Sequence, residues 1–129
     1  MEEKGFVSLW LAKVESAVQL KSFMREDYTE DGDYIPSRFA SLFDIEYIDS
    51  GFSESEFIGI KSSLKDALKG ASYDDIIIPK FERLLYNNDE IAISDFNSVV
   101  LLYNFKYEGN TIEAKSIDYF FKFIGFASF

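Results

Sequence analysis

The sequence contains neither cysteine nor histidine among its 129 residues. Without cysteine there is no disulfide, no thiolate nucleophile and no cysteine zinc site, and this composition fits a reducing cytoplasm. Without histidine the usual general base near neutral pH is missing, as are Ser-His-Asp triads and most zinc or iron sites. These absences exclude much of enzyme chemistry, and we predict that the protein is not an enzyme, with no catalytic residue, no cofactor and no metal ligand.

Long apolar runs are also missing, because no run approaches the length needed to span a bilayer. The N-terminal stretch MEEKGFVSLWLAKVES has acids where a signal peptide needs bases. Lys13 and Glu15 also end its apolar run early. We expect a cytoplasmic protein without a membrane partner.

Aromatic residues are plentiful, with 14 Phe, 8 Tyr and 1 Trp in a chain that is 47% hydrophobic. A chain of this length and composition can bury a substantial core. No linker or low-complexity segment divides it, so we expect one domain over residues 1–129.

Strand patterns lie towards both ends of the chain. Residues 5–14, GFVSLWLAKV, are apolar on both alternating faces, as in an interior strand, and Trp10 is interpreted there as a core residue. Residues 119–129 form a last strand. A further strand is expected to place five residues on one apolar face, namely Val99, Leu101, Tyr103, Phe105 and Tyr107.

Helix patterns occupy the middle of the chain. We predict a helix over residues 17–25 after the cap Ser16, a helix over residues 63–69 capped by Ser63, and helices that begin at Pro36 and at Pro79. Residues 44–52 alternate as a half-exposed strand would. This order predicts an α+β fold, with an antiparallel or mixed sheet and three to four helices packed against it.

The formal net charge is −10 at pH 7, and the acids are unevenly distributed. Residues 26–60 contain ten acids and one base, Arg38, whereas the rest of the chain is nearly neutral. Such a field repels nucleic acid and acidic membranes, and it attracts basic partners. The simpler interpretation is that these acids only keep an aromatic-rich protein soluble.

The stretch DYTEDGDYIPSR, residues 27–38, begins like a calcium loop. Asp27, Thr29 and Asp31 occupy the first three ligand positions of an EF-hand. The last position needs a bidentate glutamate, but Arg38 stands there and would place a cation beside the metal. We therefore interpret the stretch as part of an acidic surface.

Three tyrosines, Tyr28, Tyr34 and Tyr47, lie among these acids. Tyrosines are frequent energetic anchors at protein interfaces, and surrounding acids supply steering and register. We predict that the segment binds a cationic protein. The predicted partner-binding residues are Asp27, Glu30, Asp31, Asp33, Tyr34, Asp44, Glu46, Tyr47, Asp49, Glu54 and Glu56.

The segments GFVSLWLAKV, EDGDYIPSRFASLFDIEYID, NSVVLLYNFKYEG and FKFIGFASF resemble, in order and spacing, the immunity protein 22 family of bacterial polymorphic toxin systems. The resemblance covers almost the whole chain. It implies an α+β protein that protects its producer by binding a cognate toxin. Many toxins of such systems are nucleases with basic, phosphate-binding clefts, and an acidic antagonist suits them. No catalytic residues are carried over from the family.

Our favoured hypothesis is a cytoplasmic immunity protein that inhibits its toxin stoichiometrically, without turnover. In the alternative, the protein is an acidic regulator or nucleic-acid mimic, in which carboxylates imitate phosphates and block a DNA-binding protein. A third hypothesis, a carboxylate-based hydrolase, requires two facing carboxylates in a deep cleft.

Overall fold

The computed structural model describes residues 1–86, 88 and 90–129. In this part of the chain the strands are β1 Glu2–Lys13, β2 Asp27–Tyr28, β3 Tyr34–Ile35, β4 Ser53–Phe57, β5 Ser98–Phe105, β6 Glu113–Lys115 and β7 Phe120–Ser128. The α-helices are α1 Ala17–Met24, α2 Arg38–Leu42, α3 Leu64–Leu68 and α4 Asp74–Tyr86. Short 3-10 turns cover Ser50–Phe52 and Ile93–Asp95.

Five strands form one sheet in the order β4-β5-β1-β7-β6, and each neighbouring pair is antiparallel. Strands β2 and β3 form a separate antiparallel pair. Helices pack against the five-stranded sheet, so the predicted α+β class is confirmed. No helix in the described residues is both long and apolar enough to cross a membrane.

The central strand β1 is buried on both faces, as its two apolar faces predicted. Val7, Leu9 and Leu11 belong to the core that α3 and α4 cover. Trp10 and Ala12 belong to the opposite core, which α1 and α2 cover. The sheet therefore has a helical layer on each side.

Trp10 lies fully buried at the centre of an aromatic cluster, which confirms its interpretation as a core residue. Its ring centroid lies 5.0 Å from those of Phe39 and Phe123, and 5.2 Å from that of Tyr107. Aromatic pairs at such spacings add to the stabilisation that burial alone provides. This cluster fixes α2 and the segment after it against the sheet.

The single apolar face predicted from Val99 to Tyr107 is wrong at its far end, because the strand changes sides at Asn104. This residue has a left-handed backbone, with φ of 55°, and the pairing of β1 with β5 is irregular in this region. Its Oδ1 accepts a hydrogen bond of 3.0 Å from the backbone N–H of Gly5. Phe105 and Tyr107 therefore join the Trp10 side of the sheet.

The strand predicted over residues 44–52 is also wrong, because β4 begins only at Ser53. Helix α2 ends in a Schellman motif, in which Ile45 N–H donates to Ala40 O at 2.8 Å and Asp44 N–H donates to Ser41 O at 3.3 Å. Asp44 occupies the left-handed position of this motif, with φ of 54°. The motif turns Ile45 back into the core, so the segment cannot run on as a strand.

The predicted helix starts need correction at both prolines. Pro36 precedes α2, and the cap is Ser37, whose Oγ accepts a hydrogen bond of 3.1 Å from Ala40 N–H. Pro79 lies inside α4, which begins at Asp74. A proline there removes one backbone hydrogen bond. Burial of Ile77 and Phe81 on either side of the proline favours the helix despite this loss.

Candidate partner-binding surface

The acidic segment, residues 26–60, begins with a small hairpin formed by β2 and β3. Its turn is closed by Thr29, whose backbone N–H donates to Asp33 O at 2.8 Å and whose Oγ1 accepts from Asp33 N–H at 3.0 Å. Gly32 supplies the left-handed backbone, with φ of 86°, that this turn requires. The stretch is therefore a hairpin rather than a helix-loop-helix calcium loop, and no group of three acidic side chains in the described residues could hold a metal ion.

The three tyrosines of the segment form a row of edge-to-face rings. The ring centroids of Tyr28 and Tyr34 lie 5.9 Å apart, and those of Tyr34 and Tyr47 lie 5.2 Å apart. Tyr28 is 61% exposed and Tyr47 is 53% exposed, while Tyr34 lies half-buried between them. The row presents a large aromatic contact area that is already ordered before a partner binds.

Negative charge surrounds this row. The pKa of Tyr47 is raised above its usual value, first by the Asp49 carboxylate and then by partial desolvation, with Glu26 and Glu2 adding to the effect. Burial raises the pKa of Tyr34, and Glu26 again contributes. The pKa shift of Tyr47 therefore reports mainly nearby negative charge, whereas that of Tyr34 reports mainly burial.

An acidic groove of about 290 Å³ adjoins the row. Tyr47 forms one of its walls, and the carboxylates of Glu2, Asp44 and Glu46 line it. Glu2 reaches this place because strand β1 pairs with β5, where Glu2 lies opposite Phe105. We define the acidic tyrosine surface as Glu2, Glu26, Tyr28, Tyr34, Asp44, Glu46, Tyr47 and Asp49.

The eleven predicted partner-binding residues fall into three groups. Nine are exposed, and only Tyr34 and Glu54 are partly buried. Tyr34, Asp44, Glu46, Tyr47 and Asp49 belong to the acidic tyrosine surface, and the hairpin carries Asp27, Glu30, Asp31 and Asp33. Glu54 and Glu56 lie apart from both groups, on the edge strand β4.

Two acids of this surface were missing from the predicted set. Glu26 is one of the ten acids of the segment, and its position directly before the hairpin was the available signal. Glu2 lies outside the segment, and only the pairing of β1 with β5 brings it close. No local sequence pattern indicates that Glu2 lies beside this surface.

The fold and surface are those of an α+β protein with an acidic, tyrosine-bearing face. The family model described as Immunity protein 22 matches residues 7–129, and the chain belongs to this family. The resemblance seen in the sequence is therefore confirmed. Membership supports an immunity function and implies a toxin as the partner. No curated protein and no solved structure matches the chain.

Proposed function

We propose that this protein neutralises a polymorphic toxin by stoichiometric binding in the cytoplasm, and that the toxin is a cationic nuclease. The contact is made by the acidic tyrosine surface together with the adjoining hairpin. The observation that carries the proposal is the Tyr28–Tyr34–Tyr47 row, whose exposed outer rings stand among the carboxylates of Glu2, Glu26 and Asp49.

Charge and aromatic area have separate parts in this proposal. The carboxylates steer a basic toxin face towards the surface and fix its register, which raises the association rate at low salt. The rings of Tyr28 and Tyr47 then become buried against the partner and slow dissociation. In a nuclease, basic side chains bind the phosphates of the nucleic-acid substrate. When the carboxylates of this protein pair with those side chains, the substrate can no longer bind to them.

The residues to reverse are acids without a structural role. Asp49 is unsuitable, because its Oδ1 accepts a hydrogen bond of 2.9 Å from Gly51 N–H and caps a 3-10 turn. Asp31 and Glu46 are exposed. The matched control reverses Glu15 and Glu82, two exposed acids outside the acidic tyrosine surface and the hairpin, and gives the same change in net charge.

The experiment measures the affinity for the product of the adjacent upstream gene, by titration calorimetry at low and physiological salt, together with inhibition of any nuclease activity of that product. The Asp31→Lys/Glu46→Lys variant should bind at least about tenfold more weakly, with a shallower salt dependence, because two charge pairs are lost. The Glu15→Lys/Glu82→Lys control should bind as the native protein does. Equal effects of the two variants, or no effect of either, would place the interface elsewhere.

A further inference from the structure

A second cleft, of about 380 Å³, lies beside the acidic tyrosine surface. Phe52 lines this cleft and also a narrow crevice below Tyr47, so the two sites share a border. One wall of the 380 Å³ cleft is formed by Tyr73, Tyr103 and Phe129, whose rings pack against one another. Ring centroids are 5.1 Å apart for Tyr73 and Phe129, 5.2 Å for Tyr103 and Phe129, and 6.3 Å for Tyr73 and Tyr103.

A fixed carboxylate accompanies these rings. Glu54 also lines the cleft, and Ser72 orients its two oxygens, with the backbone N–H donating to Oε1 at 3.0 Å and the hydroxyl donating to Oε2 at 2.6 Å. The Tyr103 hydroxyl donates to the backbone carbonyl of Ser72, which fixes that segment in turn. Each carboxylate oxygen can still accept a further hydrogen bond. The site therefore offers a preoriented anion next to aromatic faces.

Backbone strain is concentrated at this cleft. In the described residues, the non-glycine residues with positive φ are Asp44, Tyr73 and Asn104, and the last two line the cleft. A short polar side chain such as Asn tolerates this conformation, but a bulky aromatic at φ of 59° is a genuine outlier. Tyr73 is 56% exposed, so burial compensates this cost only in part. Strain of this kind concentrates at binding sites.

Two other aromatic groups of the protein carry a cation from the chain itself. The Arg38 guanidinium lies 4.1 Å from the ring centroid of Phe23, and the Lys106 ammonium lies 4.9 Å from the rings of both Phe6 and Phe126. Within the described part of the chain, no lysine or arginine lies over Tyr73, Tyr103 or Phe129. This cluster combines aromatic faces with an adjacent carboxylate and has no internal cation above it.

We propose that this cleft receives an arginine side chain of the partner, with the guanidinium stacked on Tyr73 and paired with Glu54. Arginine fits better than lysine, because its planar guanidinium can stack on a ring and bond a carboxylate at the same time. Lys4 also lines the cleft, and its positive charge weakens the attraction. The inference rests on the proposed function in one respect, namely that the arginine comes from the toxin.

The test uses a probe that does not depend on the toxin. The intact protein is titrated with N-acetyl-arginine amide and followed by two-dimensional NMR, with N-acetyl-citrulline amide as the uncharged isostere. We expect saturable shifts at Ser72 and Tyr73, and affinity for the arginine probe at least about tenfold above that for citrulline. Equal affinity for the two probes, or no saturable binding of either, overturns the proposal.

Variants assign the binding to the named groups. Glu54→Gln should abolish the preference for arginine. Tyr73→Asn, a substitution that suits the left-handed backbone, should weaken binding, while its amide spectrum remains that of a folded protein. Lys4→Gln should strengthen binding, because it removes the repelling charge at the rim. Glu82→Gln is the matched control and should change nothing. Retention of the preference in Glu54→Gln would overturn the proposal without affecting the Asp31/Glu46 test of toxin binding.

Discussion

The ring of Tyr34 packs edge-on against that of Tyr47, with centroids 5.2 Å apart and an interplanar angle of 61°. Tyr34 belongs to the hairpin, whereas Tyr47 lies in the irregular segment that follows α2. This contact joins two separate parts of the acidic segment into one surface. It also holds the exposed ring of Tyr47 in place, so that less side-chain entropy is lost when a partner covers it.

Tyr47→Ala should weaken toxin binding by about 2 kcal/mol, since a central exposed tyrosine has the character of a hot spot. The stability of the free protein should fall by less than about 1 kcal/mol, because the side chain is largely exposed. Titration calorimetry and urea unfolding measure the two effects. Tyr86→Ala is the control, since Tyr86 is 84% exposed and lies outside the proposed interface. A Tyr47→Ala variant with native affinity would remove this ring from the interface.

Tyr34→Phe should stabilise the free protein by about 1 kcal/mol, because it removes a buried polar atom that lacks a partner. Within the described residues, the buried Tyr34 hydroxyl lies near the Ile48 backbone and the Glu26 carboxylate but makes no well-formed hydrogen bond to either. Urea unfolding near neutral pH measures the change. A clear loss of stability would show instead that the hydroxyl bonds to the nearby Glu26 carboxylate in solution.

The stability of the protein should fall as the pH rises above about 10, where tyrosines of the unfolded chain begin to ionise. Burial, with a contribution from Glu54, raises the pKa of Tyr103 above its usual value. Above pH 10 the unfolded chain therefore loses this proton while the folded protein keeps it, which favours unfolding. Below pH 10 both states hold the proton, so the titration of Tyr103 adds no pH dependence to stability there.

Tyr103→Phe should reduce the alkaline loss of stability, because phenylalanine cannot ionise. Urea unfolding at a series of pH values from neutral to alkaline gives the comparison. The variant pays for its lost hydrogen bond to Ser72 at every pH, so the slope above pH 10 is the relevant readout. An unchanged slope would mean that other tyrosines dominate the effect.

Asn104→Val should destabilise the protein by about 2 kcal/mol or more, because it forces a β-branched residue into the left-handed region and removes an acceptor. Asn104→Gly relaxes the backbone and loses only the hydrogen bond from Gly5, so it should cost about 1 kcal/mol. Thermal or urea unfolding of the two variants tests the order. Equal costs would show that the left-handed backbone of Asn104 is unimportant for stability.

Local signals predicted much of the fold correctly. Strand β1 was recognisable because it is apolar on both faces, which only an interior strand needs. The starts of α1 and α3 followed from Ser16 and Ser63, whose hydroxyls each accept a backbone N–H three residues on, at 3.1 Å. Such features depend on a few neighbouring residues, so they are visible in the sequence.

Other features depend on residues that are distant along the chain. The change of face at Asn104 is stabilised by Gly5, which lies 99 residues away along the chain, and alternation alone could not reveal it. Helix α4 continues through Pro79 because its apolar residues are buried against the sheet, which overrides the local propensity. The acidic segment and its tyrosines were identified from composition, but the approach of Glu2 to Tyr47 required the sheet register.

Hydrogen–deuterium exchange of the complex with the cognate toxin tests the central claim most directly, because it maps the interface without substitutions. We expect a one-to-one complex in which amides of residues 26–35 and 44–49 gain protection, together with those lining the Tyr73 cleft. Protection confined to the exposed side of α4 or to strand β6, with the acidic tyrosine surface unchanged, would contradict it.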